Sequence, residues 1–137
     1  MNNENALTVM NVMTNNDNNS VYAVSVFDKE EKVEMFNAVT NPTNRLSDCI
    51  NCEISIKNVS ITPVEIVNDD GEVVRLPRVV ILSHDGSSYT ATSTGIYNSI
   101  KNIYSIFYDE LISGEINVRV KQKTTSNGYK TMILEVV

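Results

Sequence analysis

Near the end of this 137-residue chain, the stretch "VRVKQKTTSNGYK" (118–130) carries Arg119, Lys121, Lys123 and Lys130 and no acidic residue. In an extended strand the first three cations project from one face, while Val118 and Val120 project from the other. Same-face neighbours then stand roughly 6.6 Å apart, close to the phosphate spacing of an extended polynucleotide. Tyr129 lies beside Lys130. One short segment therefore offers cations to hold a phosphate backbone and a ring on which a base can stack. The same pattern would also serve a solvated outer strand whose lysines guard a sheet edge.

Other residues offer less. Tyr89 follows a Gly-containing turn in "HDGSSYTATS" and is flanked by small residues, which suits either a stacking platform or a core-edge tyrosine with its hydroxyl in water. Tyr97, Lys101, Tyr104 and Tyr108 recur at helical spacing, a pattern that favours packing over ligand binding. Cys49 and Cys52 form a lone C-x-x-C, and with His84 as the single histidine the chain lacks the ligands of a closed zinc site. The pair reads as two reduced thiols in a β segment. His84 reads as a polar turn residue. Asp69-Asp70 and Asp109-Glu110 read as turn and helix-end solvation. A Gly-rich phosphate loop, G-x-S-x-G and H-E-x-x-H are all absent, so the expectation is a protein without catalysis, metal or cofactor.

Net charge is −6, unevenly placed: residues 1–72 hold 12 acidic and 4 basic side chains, and residues 73–137 hold 5 acidic and 7 basic. A mildly basic second half lets a local field differ from the global one. No stretch is apolar enough to span a bilayer, and the start lacks a signal-peptide pattern, so a cytoplasmic protein is expected, with no membrane partner.

The elements that must position these residues are mostly strands. Residues 1–19, with eight Asn, read as a loose arm in which "ALTVMNVM" has the option of a short strand. "SVYAVSVF" (20–27) alternates as a strand does, "DKEEK" (28–32) reads as a loop, and "VEMFNAVT" (33–40) as a further strand before "NPTN". "CEISIKNVSITPVEIV" (52–67) is the longest strand pattern, with a bend, bulge or edge position expected at Pro63. "RVVILS" (78–83) is apolar enough to be covered on both sides, and "YTAT" follows it as a short strand. From 93 to 112 the period changes: Ile96, Ile100, Ile103, Phe107 and Leu111 mark one helix face, with Ser93 or Thr94 as N-cap and Gly114 at the end. Two strands, 115–123 and 129–137, then form a hairpin around Asn-Gly. The pattern predicts a mainly β domain over 20–137. It takes the form of a five-stranded OB-fold barrel with one helix between strands 3 and 4, preceded by the N-terminal arm.

Several segments resemble the small single-stranded-DNA-binding proteins of tailed bacteriophages of Gram-positive bacteria. They are "MFNAVTN", "LSDCINCEISIKNVSITPVEI", "DDGEVVRLPRVVILSHDGSSYTATSTGIYNSIKNIYSIF" and "INVRVKQKTTSNGYKTMILEV", spanning about residues 35–136. The resemblance implies an OB-fold protein that coats single-stranded DNA in phage replication and recombination in the infected host, often as a dimer. It implies that Tyr89 stacks a base and that Arg119, Lys121, Lys123 and Lys130 contact phosphates. Position on the inferred barrel face adds Lys57, Arg78 and Tyr129. The chain departs from that family in its 1–19 extension and in "CINC", which stands where a Gly-containing turn is expected. The cellular counterparts' acidic tail is also missing, so recruitment through one is not expected. Expected partners are single-stranded DNA, a second copy of the chain, and phage recombinase or replication proteins. One alternative is an OB-like module whose tyrosine stripe docks another protein of a replication or recombination complex. The other is an oligosaccharide-binding barrel or virion domain, which the lack of Trp disfavours.

Overall fold

The structure is a computed structural model that describes residues 22–23 and 28–137. The expected arm over 1–19 and most of the strand expected over 20–27 lie outside the described residues. Tyr22–Ala23 is strand (β1) and pairs antiparallel with the strand that contains Ser60 and Ile61.

The described chain continues as α1 (Lys29–Thr40), β2 (Asn44–Arg45), a 3-10 turn (Leu46–Asp48), β3 (Glu53–Val67), β4 (Val73–Ser83) and β5 (Ser88–Thr92). It ends with α2 (Thr94–Ile106), α3 (Tyr108–Ser113), β6 (Ile116–Thr124) and β7 (Lys130–Val136). The strands form one curled sheet in the order β2-β5-β4-β3-β6-β7, antiparallel except for the short β2–β5 pair. This is a mainly β half-barrel compatible with an OB-like fold. Among the described residues it has three α-helices where one was expected, and two of the seven strands are two residues long.

Strand β3 curls because of a bulge at Lys57. Ile56 pairs with Ser83 and Asn58 with Leu82, leaving Lys57 as the extra residue. The inward set switches parity there, from Ile54 and Ile56 to Val59 and Ile61, and all four are fully buried in the main core. Of the bend, bulge or edge position expected at Pro63, the pairing agrees with the edge: no register shift falls there, and among the described residues β4 is its one strand neighbour. Pro63 stands opposite Pro77, so two residues without an N–H share one ladder position.

Strand β4 is covered on both sides, as its apolar run predicts. Val79 and Ile81 enter the main core, while Val80 and Leu82 meet Met35 and Ala38 of α1. Residues 33–40 are therefore helix rather than strand, and "DKEEK" is the helix start rather than a loop. Asp28 caps it by accepting from the Glu31 N–H at 2.8 Å, in a D-x-x-E arrangement. Met35, Ala38 and Val39 supply the i, i+3, i+4 face toward the sheet.

The period change at 93 is a helix with a break. Ser93 caps α2, and Phe107 (φ −115°, ψ 41°) interrupts it before α3 begins at Tyr108. The apolar face nevertheless continues through Ile96, Ile100, Ile103, Phe107 and Leu111, all in or against the core. Gly114 ends α3 in the left-handed region, with the Glu115 N–H reaching back to the Glu110 carbonyl.

The start of α2 lies against the outer edge of β7. The Ser99 hydroxyl accepts from the Leu134 N–H at 3.0 Å and donates to the Gly95 carbonyl. Strand β7 therefore has a helix, not β5, along this edge.

Candidate nucleic-acid interface

The hairpin of β6 and β7 positions the cations. Arg119 pairs with Glu135, Lys121 with Ile133, Lys123 with Thr131 and Thr124 with Lys130. Directly opposed residues share a face. Arg119, Lys121 and Lys123 thus line the outer face as their spacing predicts, whereas Lys130 belongs to the inner one. The loop 125–129 turns through Gly128 (φ 84°), with Thr125 and Tyr129 joined by an N–H···O bond of 2.7 Å. Tyr129 is 73% exposed, the most open tyrosine of the described residues.

The outer cations are not equivalent. Arg119 is half-buried and ion-paired with Glu53, with Glu135 4.0 Å away on the other side. Two carboxylates thus offset its charge. Among the described residues, Lys121 meets only the neutral amide oxygen of Asn51, at 3.4 Å. Lys123 is exposed at the tip. The positive field of the hairpin therefore comes from Lys121, Lys123 and Lys130.

A groove of about 320 Å³ opens on the inner side of this hairpin, lined among others by Ser47, Ile50, Thr92, Gln122, Lys130 and Met132. Its floor is the segment that crosses from β2 to β3, plugged into the barrel by the fully buried Leu46. "CINC" is the turn at the end of that floor, not part of a strand. The Cys52 N–H bonds the Cys49 carbonyl, Asn51 takes φ 71°, and its N–H reaches the Val120 carbonyl at 2.7 Å. Asn tolerates the left-handed region better than other non-Gly residues, so it fills the place where a glycine was expected. The cysteines are free thiols, and burial followed by the neighbouring Cys52 pushes the Cys49 thiol up.

Tyr89 pairs with Ile81 and therefore faces inward. It packs half-buried against the main core, with its phenol pushed up by burial and then by the Asp85 charge. It stands three residues, ~10 Å, along β5 from the groove residue Thr92. Lys57 and Arg78 are engaged elsewhere. Lys57 Nζ meets the Glu34 carboxylate at 2.8 and 3.0 Å, which raises its pKa, and Arg78 Nη2 donates to the Val39 carbonyl at 3.0 Å. Both side chains hold α1. Arg78 sits at its C-terminal end, where a cation complements the helix dipole.

The tyrosine stripe packs. Tyr97 is buried under Lys101 Nζ at 5.5 Å, and Tyr104 and Tyr108 meet edge-to-face at 5.1 Å. His84 ties the β4–β5 turn to the Gly114 carbonyl at 2.7 Å.

Exposed lysines, an open tyrosine and the mouth of a groove thus meet at one hairpin. The sequence model of the family "Phage Single-stranded DNA-binding protein" matches residues 14–137. The chain belongs to this family. Membership gives it a single-stranded-DNA-binding role and points away from catalysis. Comparison with curated proteins and with solved structures returns no match. Among the described residues, no helix is long and apolar enough to cross a membrane.

Sequence reasoning missed the groove floor, Ser47, Ile50 and Asn51. The one signal was Asn51 itself, a left-handed-tolerant residue inside a four-residue turn.

Proposed function

We propose that this protein coats and protects single-stranded DNA in phage replication and recombination, inside the infected cell of a Gram-positive host. The strand would enter along the β6–β7 hairpin and the groove behind it. The observation that carries this reading is the open Tyr129 ring, next in sequence to Lys130, the cation that lines the groove. Tyr129 stacks a base, and Lys121, Lys123 and Lys130 hold phosphates, while Tyr89 packs on the core. Arg119 orders the hairpin by bridging β3 and β7. The OB-fold reading takes β3, β4, β5, β6 and β7 as the five barrel strands and α2 as the helix between the third and fourth. Pairing in the order β5-β4-β3-β6-β7 supports it. Residues 20–137 form the binding unit. Self-association and contact with recombinase or replication proteins belong to the same proposal.

The experiment is a fluorescence-anisotropy titration of labelled oligo-dT from low to physiological salt, beside a duplex control and a Tyr129→Ala variant. Salt-sensitive binding to the single strand and not the duplex is expected. Loss of one stacked base at ~1–3 kcal/mol should weaken the variant roughly 5- to 100-fold. Equal binding of duplex, or an unaffected Tyr129→Ala, would overturn the assignment.

A further inference from the structure

The face of β3, β4 and β5 on which α1 lies is an odd seat for a helix. Sheet faces that receive helices are apolar. Alongside Val80 and Leu82, this face carries Asn58, Ser60, Ser88 and Thr90 in register. The Ser60 hydroxyl is buried with no hydrogen-bond partner. Only Met35 and Ala38 of α1 are buried, while Val33 and Phe36 stay 52% and 69% exposed. A cleft of about 270 Å³ remains between the helix and the β4–β5 hairpin, bordered by Glu34, Asn37, Asn41, Leu82 and Ser88.

Polar groups tie the helix down. The Glu34 carboxylate sits on Lys57 and the Val39 carbonyl sits on Arg78. An anionic oxygen on a lysine and an acceptor oxygen on a guanidinium are the contacts a phosphodiester backbone would make. Asp28, Glu30 and Glu31 add further negative charge at the N-terminal end of the helix. The face is also continuous with the hairpin groove, because Thr92 lines the groove and pairs in register with Arg78.

We propose that α1 is a displaceable stand-in for nucleic acid. A single strand that runs from the groove past Thr92 displaces α1, and Lys57 and Arg78 become phosphate contacts. The inference rests on the single-stranded-DNA reading above. On it the protein has two binding modes: a short strand uses the hairpin alone, and a longer one opens the covered face.

Hydrogen exchange of the full chain, with and without saturating long oligo-dT, tests this directly. Amides of 29–40 should exchange at least about 10-fold faster in the complex, while those of the hairpin slow down. A Glu34→Gln/Met35→Gln variant should bind oligo-dT several-fold more tightly. Its salt slope should steepen by up to ~1.4, the value for two more phosphates on a single strand. Adding Lys57→Gln and Arg78→Gln should cancel both gains. A saturated complex with α1 amides as protected as before overturns the inference and leaves the hairpin reading intact. So does unchanged affinity in a variant whose α1 amides exchange freely. Absence of any oligo-dT binding by the parent protein sinks both.

Discussion

Gly95 shows how a single residue sets the wall of the hairpin groove. A methyl group there would run into the Met132 carbonyl oxygen and come within 2.6 Å of Thr131 Oγ1. The helix start sits this close to β7 so that Ser99 can satisfy the Leu134 N–H, and the same approach sets the wall of the groove at Thr131 and Met132. Gly95→Ala must push α2 and β7 apart. It is expected to cost ~1–3 kcal/mol, as overpacking does, and to weaken oligo-dT binding with it. Urea unfolding beside the anisotropy titration checks this, and a change below about 0.5 kcal/mol would mean the contact relaxes without strain. Asn51 shows the complementary case. Its type was a readable hint of a left-handed turn, but its partner Lys121 lies 70 residues away, and no local pattern announces that pairing.

Elements were legible where one pattern dominated. The β6–β7 hairpin and the buried run of β4 follow directly from strand alternation and apolar content. The helix face from Ile96 to Leu111 survives even its break at Phe107. Helix α1 was misread because its apolar residues split between two sides, with Met35 and Ala38 inward and Val33 and Phe36 outward. That mixture looks like strand alternation, and the Asp28–Glu31 cap was the signal that outweighs it. The bulge at Lys57 was illegible, since it depends on which residue of β4 stands opposite. Tyr104 on α2 gives the helix layer a pH signature. Burial, then its neighbour Tyr108, pushes its phenol up to about 12 from an ordinary 10.0. A phenol raised in the folded state favours folding below pH 10 and loses that contribution as pH climbs through its folded value. Stability should therefore fall between about pH 10 and pH 12, and Tyr104→Phe should flatten that fall. Denaturant midpoints at pH 9 and pH 11 decide it, and equal slopes for both proteins would show that Tyr104 ionises freely in the fold.

At the scale of the molecule, a net charge of −6 taken as an average opposes a polyanion. The structure separates the charges instead of averaging them. Arg119 is offset by Glu53 and Glu135, Lys57 by Glu34, and the acids of α1 and the Asn68–Glu72 turn lie on other elements than the hairpin. Counting cations along the sequence gives four phosphate contacts and a salt slope near −3, whereas the ion pairs leave three and a slope near −2 for a single strand. The two counts assign different roles to identical charges. On the structural count, Lys123→Gln removes a phosphate contact and makes the slope shallower by about 0.7. Arg119→Gln leaves the slope almost unchanged and acts on hairpin stability instead, by freeing two carboxylates beside the bound strand. Anisotropy titrations of the two variants between low and physiological salt separate the cases. If Arg119→Gln loses as much slope as Lys123→Gln, the guanidinium leaves its carboxylates on binding, and the hairpin grips DNA with all the cations its sequence spacing suggested.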